Sequence, residues 1–143
     1  MIAQNVMSAK EIVITQADFD RLQGLVESRH YRSTHAASLM VLKEELGRGT
    51  VVAADAVPRG VVTMHSQVRV RDLKADETET YTLVYPDEAD INEGKLSVLA
   101  PLGIALLGTK AGQAVKFDAP AGQRRLKVEK ILYQPEAAGD FHL

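Results

Sequence analysis

Gly103 and Gly108, followed by Thr109-Lys110, have the glycine spacing of a loop that wraps phosphate. Such a loop needs lysine before the hydroxyl residue and a helix beginning there, so that free N–H groups point at the phosphates. Here the order is reversed, and the apolar run Ile104-Ala105-Leu106-Leu107 puts a helix between the glycines. No nucleotide site is expected. The acidic run Asp87, Glu88, Asp90, Asn92, Glu93 suggests calcium, which needs oxygen ligands at alternate positions and then glycine. Ala89 and Ile91 fill two of those ligand positions, so the run reads as a solvated turn. His30, His35, His65 and His142 are scattered, with no pair at the i, i+4 spacing of a helical zinc site, and read as surface residues. No serine, histidine and carboxylate grouping sits in a nucleophile motif, so neither a catalytic centre nor a cofactor or metal is expected.

The elements around these residues must fit in 143 residues, the usual size of one domain or of one domain with a small appendage. Lys and Arg number 17 against 19 Asp and Glu, so the bulk charge offers no footprint for autonomous binding to nucleic acid. Contact with nucleic acid is expected only indirectly. Cysteine is absent, which removes disulfides and thiolate metal sites and suits a reducing cytoplasm. The first eleven residues lack the basic region and apolar run of a signal peptide, and no segment has the length of a membrane span. A cytoplasmic protein with no membrane partner is the expectation.

Along the chain, the first eleven residues carry no period and are expected to fray, and Ile12-Val13-Ile14 fits a short edge strand. Thr15 can cap a helix with Asp18 in its first turn and Phe19, Leu22, Leu25 and Val26 at helical spacing. Arg29 to Ser33 reads as a polar hinge. Thr34 can cap a second helix, with Ala36, Leu39, Met40, Leu42 and Leu46 about its apolar stripe and Gly47-Arg48-Gly49 as its stop. Two helices of about fifteen residues make an antiparallel hairpin roughly 20 Å long at 1.5 Å per residue.

From Val57-Pro58-Arg59-Gly60 onward the period turns to alternation, dividing the chain into an arm and hairpin over 1–56 and a sheet domain over 57–143. Val68 and Val70, then Tyr81, Leu83 and Tyr85, then Val115 and Phe117 mark strands. In the last strand the apolar side shifts from Leu126 and Val128 to Ile131 and Tyr133, which calls for a bulge near Glu129-Lys130. Residues 96–112 read as strand, Pro101 stop, corner at Leu102-Gly103, short apolar helix and Gly108 cap. The fold class is α+β, a short helical hairpin followed by an antiparallel β domain with one short helix.

Val61 to Ser66, Thr82 to Pro86 and Leu96 to Pro101 together resemble the C-terminal domain of the Gre transcript-cleavage factors. The closing Tyr133-Gln134-Pro135-Glu136-Ala137-Ala138-Gly139-Asp140 resembles their short Rnk-type relatives, the regulators of nucleoside diphosphate kinase. The likeness spans about residues 12 to 143 and makes Val61–Ser66 a strand. It implies an FKBP-like C-terminal domain that docks on RNA polymerase near its secondary channel, with the hairpin projecting inward.

By that resemblance Leu99, Ala100, Pro101, Leu102, Gly103 and Ala105 form the polymerase contact, and the hairpin tip Arg29, His30, Tyr31 and Arg32 a second, shallower one. Gre factors carry a longer coiled coil whose tip presents two acids that help hold a catalytic magnesium ion. Here the tip offers Glu27 beside Arg29 and Arg32, a poor setting for a hard cation. Gre factors also often have an acidic or hydroxyl residue before the segment's proline, where Leu99 and Ala100 stand. The expectation is a regulator that competes with Gre factors without stimulating cleavage. Its alternatives are a Gre-like cleavage factor, an FKBP-like prolyl isomerase with few aromatics to line a pocket, and a regulator acting indirectly on the kinase.

Overall fold

In the computed structural model, which describes residues 12–140, strand β1 (Ile12–Thr15) runs directly into helix α1 (Gln16–Val26). Phe141, His142 and the first eleven residues lie outside that range. The Thr15 hydroxyl accepts the Asp18 N–H at 3.2 Å, which closes one of the free amides of the first turn. Leu22 is fully buried, and Phe19, Leu25 and Val26 pack against the core from the rim of the same face.

The polar hinge is itself helical. Arg29–Arg32 forms one turn, α2, because Tyr31 anchors it: the ring packs on the core and the Tyr31 carbonyl accepts the His35 N–H at 2.8 Å. Helix α3 (Ala36–Gly47) starts after His35, and the Thr34 hydroxyl bonds to His35 Nδ1 at 2.8 Å instead of capping it. Leu39, Leu42 and Leu46 are buried, but Met40, turned about 100° round the helix from Leu39, is 68% exposed. The chain then forms β2 (Gly49–Val52), which pairs in parallel with β1 from Ile12–Gly49 to Thr15–Val52. That strand carried no sequence signal beyond the short Thr50-Val51-Val52 run.

The main sheet comprises β3 (Gln67–Asp72), β4 (Thr78–Val84), β5 (Lys95–Ser97), β6 (Ala114–Ala119) and β7 (Gly122–Tyr133). Its order is β5-β4-β3-β7-β6; the β4–β5 pair is parallel and the others antiparallel. Arg69 faces Lys130 and Val70 faces Val128, leaving Glu129 as the extra residue where a bulge was expected. A second shift passes over Leu132, so Tyr133 pairs with Gln67 and leaves the apolar side taken by Ile131.

Val61–Ser66 is buried but is not a strand. Val61 alone bridges Lys110, and His65 turns the backbone to φ 68°. Scattered partners from distant parts of the chain replace a ladder: the Val62 N–H donates to the Thr109 carbonyl, the Met64 N–H to Asp18 and the His65 N–H to the Leu83 carbonyl. Helix α4 (Pro101–Leu106) covers the sheet, and α5 (Pro135–Ala138) closes the described chain. One apolar cluster joins Leu22, Leu39, Leu42 and Leu46 of the hairpin to Val68, Leu83, Leu106 and Leu126.

Candidate docking site

Ser97 builds the Pro101 corner. Its hydroxyl accepts the Leu99 N–H and its carbonyl the Ala100 N–H, both at 3.0 Å, turning the chain out of β5. Pro101 then occupies the first turn of α4, where its missing N–H costs nothing and its fixed φ suits the helix. The helix starts at Pro101 itself, one residue before the expected corner. Gly103 is required by contact: a Cβ there would lie 2.1 Å from the Ser97 carbonyl oxygen. Of the residues expected at the docking corner, Pro101 is exposed and Ala100 and Ala105 are half-buried. Leu99 at 2% exposure, Leu102 at 6% and Gly103 lie inside the fold.

At the hairpin tip Arg29, His30 and Arg32 are exposed. Tyr31 is half-buried, edge-on to His30 at 4.7 Å and to His35 at 5.7 Å between ring centroids. The helices of 11 and 12 residues measure about 16 and 18 Å at 1.5 Å per residue.

Between α1, the tip and the 85–88 segment that follows β4 lies a cleft of about 520 Å³, bordered by Arg21, Tyr31, His65, Tyr85 and Glu88. The Arg21 guanidinium sits 5.2 Å from the Tyr85 ring centroid, and the His65 and Tyr85 rings meet edge-on at 5.6 Å. His65 Nε2 and Glu88 Oε1 are 2.9 Å apart. Burial alone would raise the Glu88 carboxyl, but the His65 hydrogen bond and charge outweigh it and hold the group below its usual range. Burial likewise pushes the Tyr85 phenol up, with the Asp18 carboxylate adding to the shift.

Beneath the cleft, Asp18 is 1% exposed. Its pKa rises to about 6, chiefly by burial and with a contribution from Glu136, against the opposing Met64 N–H, Arg21 and Thr15. As a first-turn acid Asp18 gave no sign of this role, and His65, expected at the surface, is half-buried. The acidic run forms two 3-10 turns, Pro86–Glu88 and Ile91–Glu93, with Asp90 accepting the Asn92 N–H at 3.1 Å. Among the described residues no three metal-ligating side chains converge. No helix there is long and apolar enough to cross a membrane.

Two family models divide the chain: residues 57–133 match the C-terminal domain of transcription elongation factor GreA/GreB, and residues 10–52 match the Rnk N-terminus. The chain is 38% identical over 138 residues to the regulator of nucleoside diphosphate kinase of Escherichia coli K12, covering 96% of this chain and 100% of that protein. It is 35% identical over 92 residues to transcription elongation factor GreA of Amoebophilus asiaticus, covering 64% and 59% respectively. Among solved structures, a GreA/GreB elongation factor from Nitrosomonas europaea superposes with a TM-score of 0.72 at 35% identity, over 87% of this chain and 99% of that one. The N-terminal match, the helices that carry it and the near-full-length likeness agree: this chain belongs to the GreA/GreB transcription elongation factor family, in its Rnk branch, and is a regulator of that type.

Proposed function

We propose that the protein binds RNA polymerase at the site used by Gre factors and competes with them there without stimulating transcript cleavage. The observation that carries this reading is the Pro101 corner, an exposed proline on a turn fixed by Ser97 and by the close approach at Gly103. Pro101, Ala100 and Ala105 form the contact, and the interior Leu99, Leu102 and Gly103 set its shape. The hairpin supplies a second contact through Arg29, His30, Tyr31 and Arg32. Its reach of under about 20 Å, and two arginines beside Glu27, set it apart from a tip that delivers acids to a magnesium ion.

The test is cleavage of backtracked RNA in stalled complexes, with this protein alone, with a Gre factor alone, and with both. No cleavage alone and slowed cleavage in the mixture, relieved by more Gre factor, is the expected result. Robust cleavage by this protein alone overturns the reading. The name of its E. coli relative favours a second reading, an influence on nucleoside diphosphate kinase. Recovery of that kinase, and not polymerase, in a pull-down would favour it.

A further inference from the structure

Pairing in the main sheet brings like charges together. Lys116 of β6 stands directly opposite Arg125 of β7, Lys127 opposite Arg71 of β3, and Lys130 opposite Arg69. Directly opposed residues share a face, so these six cations lie on the side of the sheet away from Val68, Val70, Leu126 and Val128. Like charges opposed across strands destabilise a sheet. Glu129, in the bulge, offsets part of this by accepting from Arg69 at 2.9 Å and Arg71 at 2.6 Å, and Asp76 takes a second Arg71 bond at 2.9 Å. Asp118 adds one exposed acid at the end of β6. Lys116, Arg125, Lys127 and Lys130 are exposed and form no ion pair among the described residues. Protection of a sheet edge would account for Lys116 on edge strand β6, but β7 and β3 are interior strands.

We infer that this face binds the phosphate backbone of duplex DNA, independently of sequence. Its cations repeat at about 4.8 Å across strands and about 6.7 Å along them, a lattice of point charges suited to regularly spaced phosphates. Unstacked bases need a run of aromatic platforms, and among the described residues this face offers one ring, Tyr133, opposite Gln67 at the end of β7. A protein partner would need an apolar or aromatic anchor at the centre of the patch, where the side chains are charged. The net charge of −2 conceals the face because most of the 19 acids lie elsewhere, Asp87, Glu88, Asp90 and Glu93 among them.

The inference does not rest on polymerase docking, and its test uses the whole isolated protein. Fluorescence anisotropy with a 25-base-pair duplex of arbitrary sequence should show affinity falling about 100-fold between 50 and 200 mM salt, for about four phosphate contacts. In K127Q/K130Q the fall should shrink to about 10-fold, as two contacts are lost. Melting temperature should hold or rise in that variant, because two like-charge oppositions are removed. E129Q, which leaves every cation in place, should bind the duplex more tightly than the natural chain. No duplex binding at 50 mM salt, or binding indifferent to both variants, overturns the inference. So does tighter binding to a single strand of equal length, to polyglutamate or to vesicles containing phosphatidylserine, which would name a different partner. Should K127Q/K130Q fail to fold, a duplex affinity unchanged in E129Q still counts against it.

Discussion

The Asp18 carboxylate of helix α1 accepts the Met64 backbone N–H at 3.1 Å, tying the first helix of the hairpin to the buried segment before the sheet. That N–H has no strand partner, because Val61–Ser66 is not laddered, so an unmade bond here would leave a buried donor unsatisfied. The same segment reaches the C-terminal turn, where the Thr63 hydroxyl donates to Glu136 at 2.7 Å and the Gln134 amide donates to the Val61 carbonyl at 2.7 Å. Three parts of the chain distant in sequence thus meet on six residues.

Asp18 should make stability fall as pH rises from about 4 to about 6. Its folded pKa, about 6, lies above the ordinary 3.8, so between these values the folded state holds the proton more tightly than the unfolded chain. The contribution is full below about 4 and lost above about 6, and amounts to ~3 kcal/mol at most. Asp72, held at about 2 by its hydrogen bonds to the Ala75 N–H, Arg124 and the Lys74 N–H, acts in the opposite sense but only below its ordinary 3.8. Urea unfolding of the natural chain and of Asp18→Asn at pH 4.5 and 7.5 measures the effect. The variant, whose amide oxygen can still accept from Met64, should gain stability relative to the natural chain at the higher pH. Equal pH dependence in the two would mean that Asp18 ionises as readily in the folded chain as in the unfolded one.

Leu42→Ala should cost about 2–5 kcal/mol, by lost burial and the cavity left behind. Leu42 is fully buried in the cluster that also contains Val68 and Leu126. Hydrogen exchange should therefore speed up in β3 and β7 as well as in α3, with one unfolding transition across residue 57. Loss of protection confined to residues 12–52 would show that hairpin and sheet fold as separate units.

The elements legible in the sequence are those whose signals are local. Thr15 caps because a hydroxyl before an amphipathic run can reach an amide three residues on, and the parity shift after Val128 located the bulge at Glu129. Val61–Ser66 misled because, His65 apart, both its alternating sets are apolar or small and buried, the pattern of a central strand; distant residues, among them Asp18, Thr109, Glu136 and Gln134, meet its polar groups instead. Leu99 and Leu102 were legible as an apolar corner, but apolarity alone could not separate the side chains that shape the turn from the one that leaves it. The basic face was hidden for a related reason, since composition sums over all surfaces while register sorts them.

The hairpin tip should resist conversion to a cleavage factor by charge alone. Replacing Arg29 and Arg32 with aspartate creates an anionic tip around Glu27, yet the helices still reach only about 16–18 Å. These arginines are exposed, so the double variant should keep its stability to within about 1 kcal/mol of the natural chain's. Transcript cleavage should stay absent while polymerase binding weakens if the tip makes its own contact. Cleavage gained by this variant would show that charge, and not length, is what the tip lacks.

Pro101 and Gly103 should separate contact from architecture. Pro101→Asp puts a charge on an exposed side chain, so circular dichroism should match the natural chain while polymerase affinity drops at least tenfold, because the charge must be desolvated on docking. Gly103→Ala forces a methyl to within 2.1 Å of the Ser97 carbonyl oxygen, a backbone atom that no rotamer change can clear. It should lower stability by about 1–3 kcal/mol or more and weaken binding through the displaced corner. Thermal melts beside polymerase-binding titrations distinguish the two: the first variant loses affinity at constant stability, and the second loses both. If Pro101→Asp binds polymerase as tightly as the natural chain, the corner serves only to turn β5 into α4, and the docking surface lies elsewhere on the molecule.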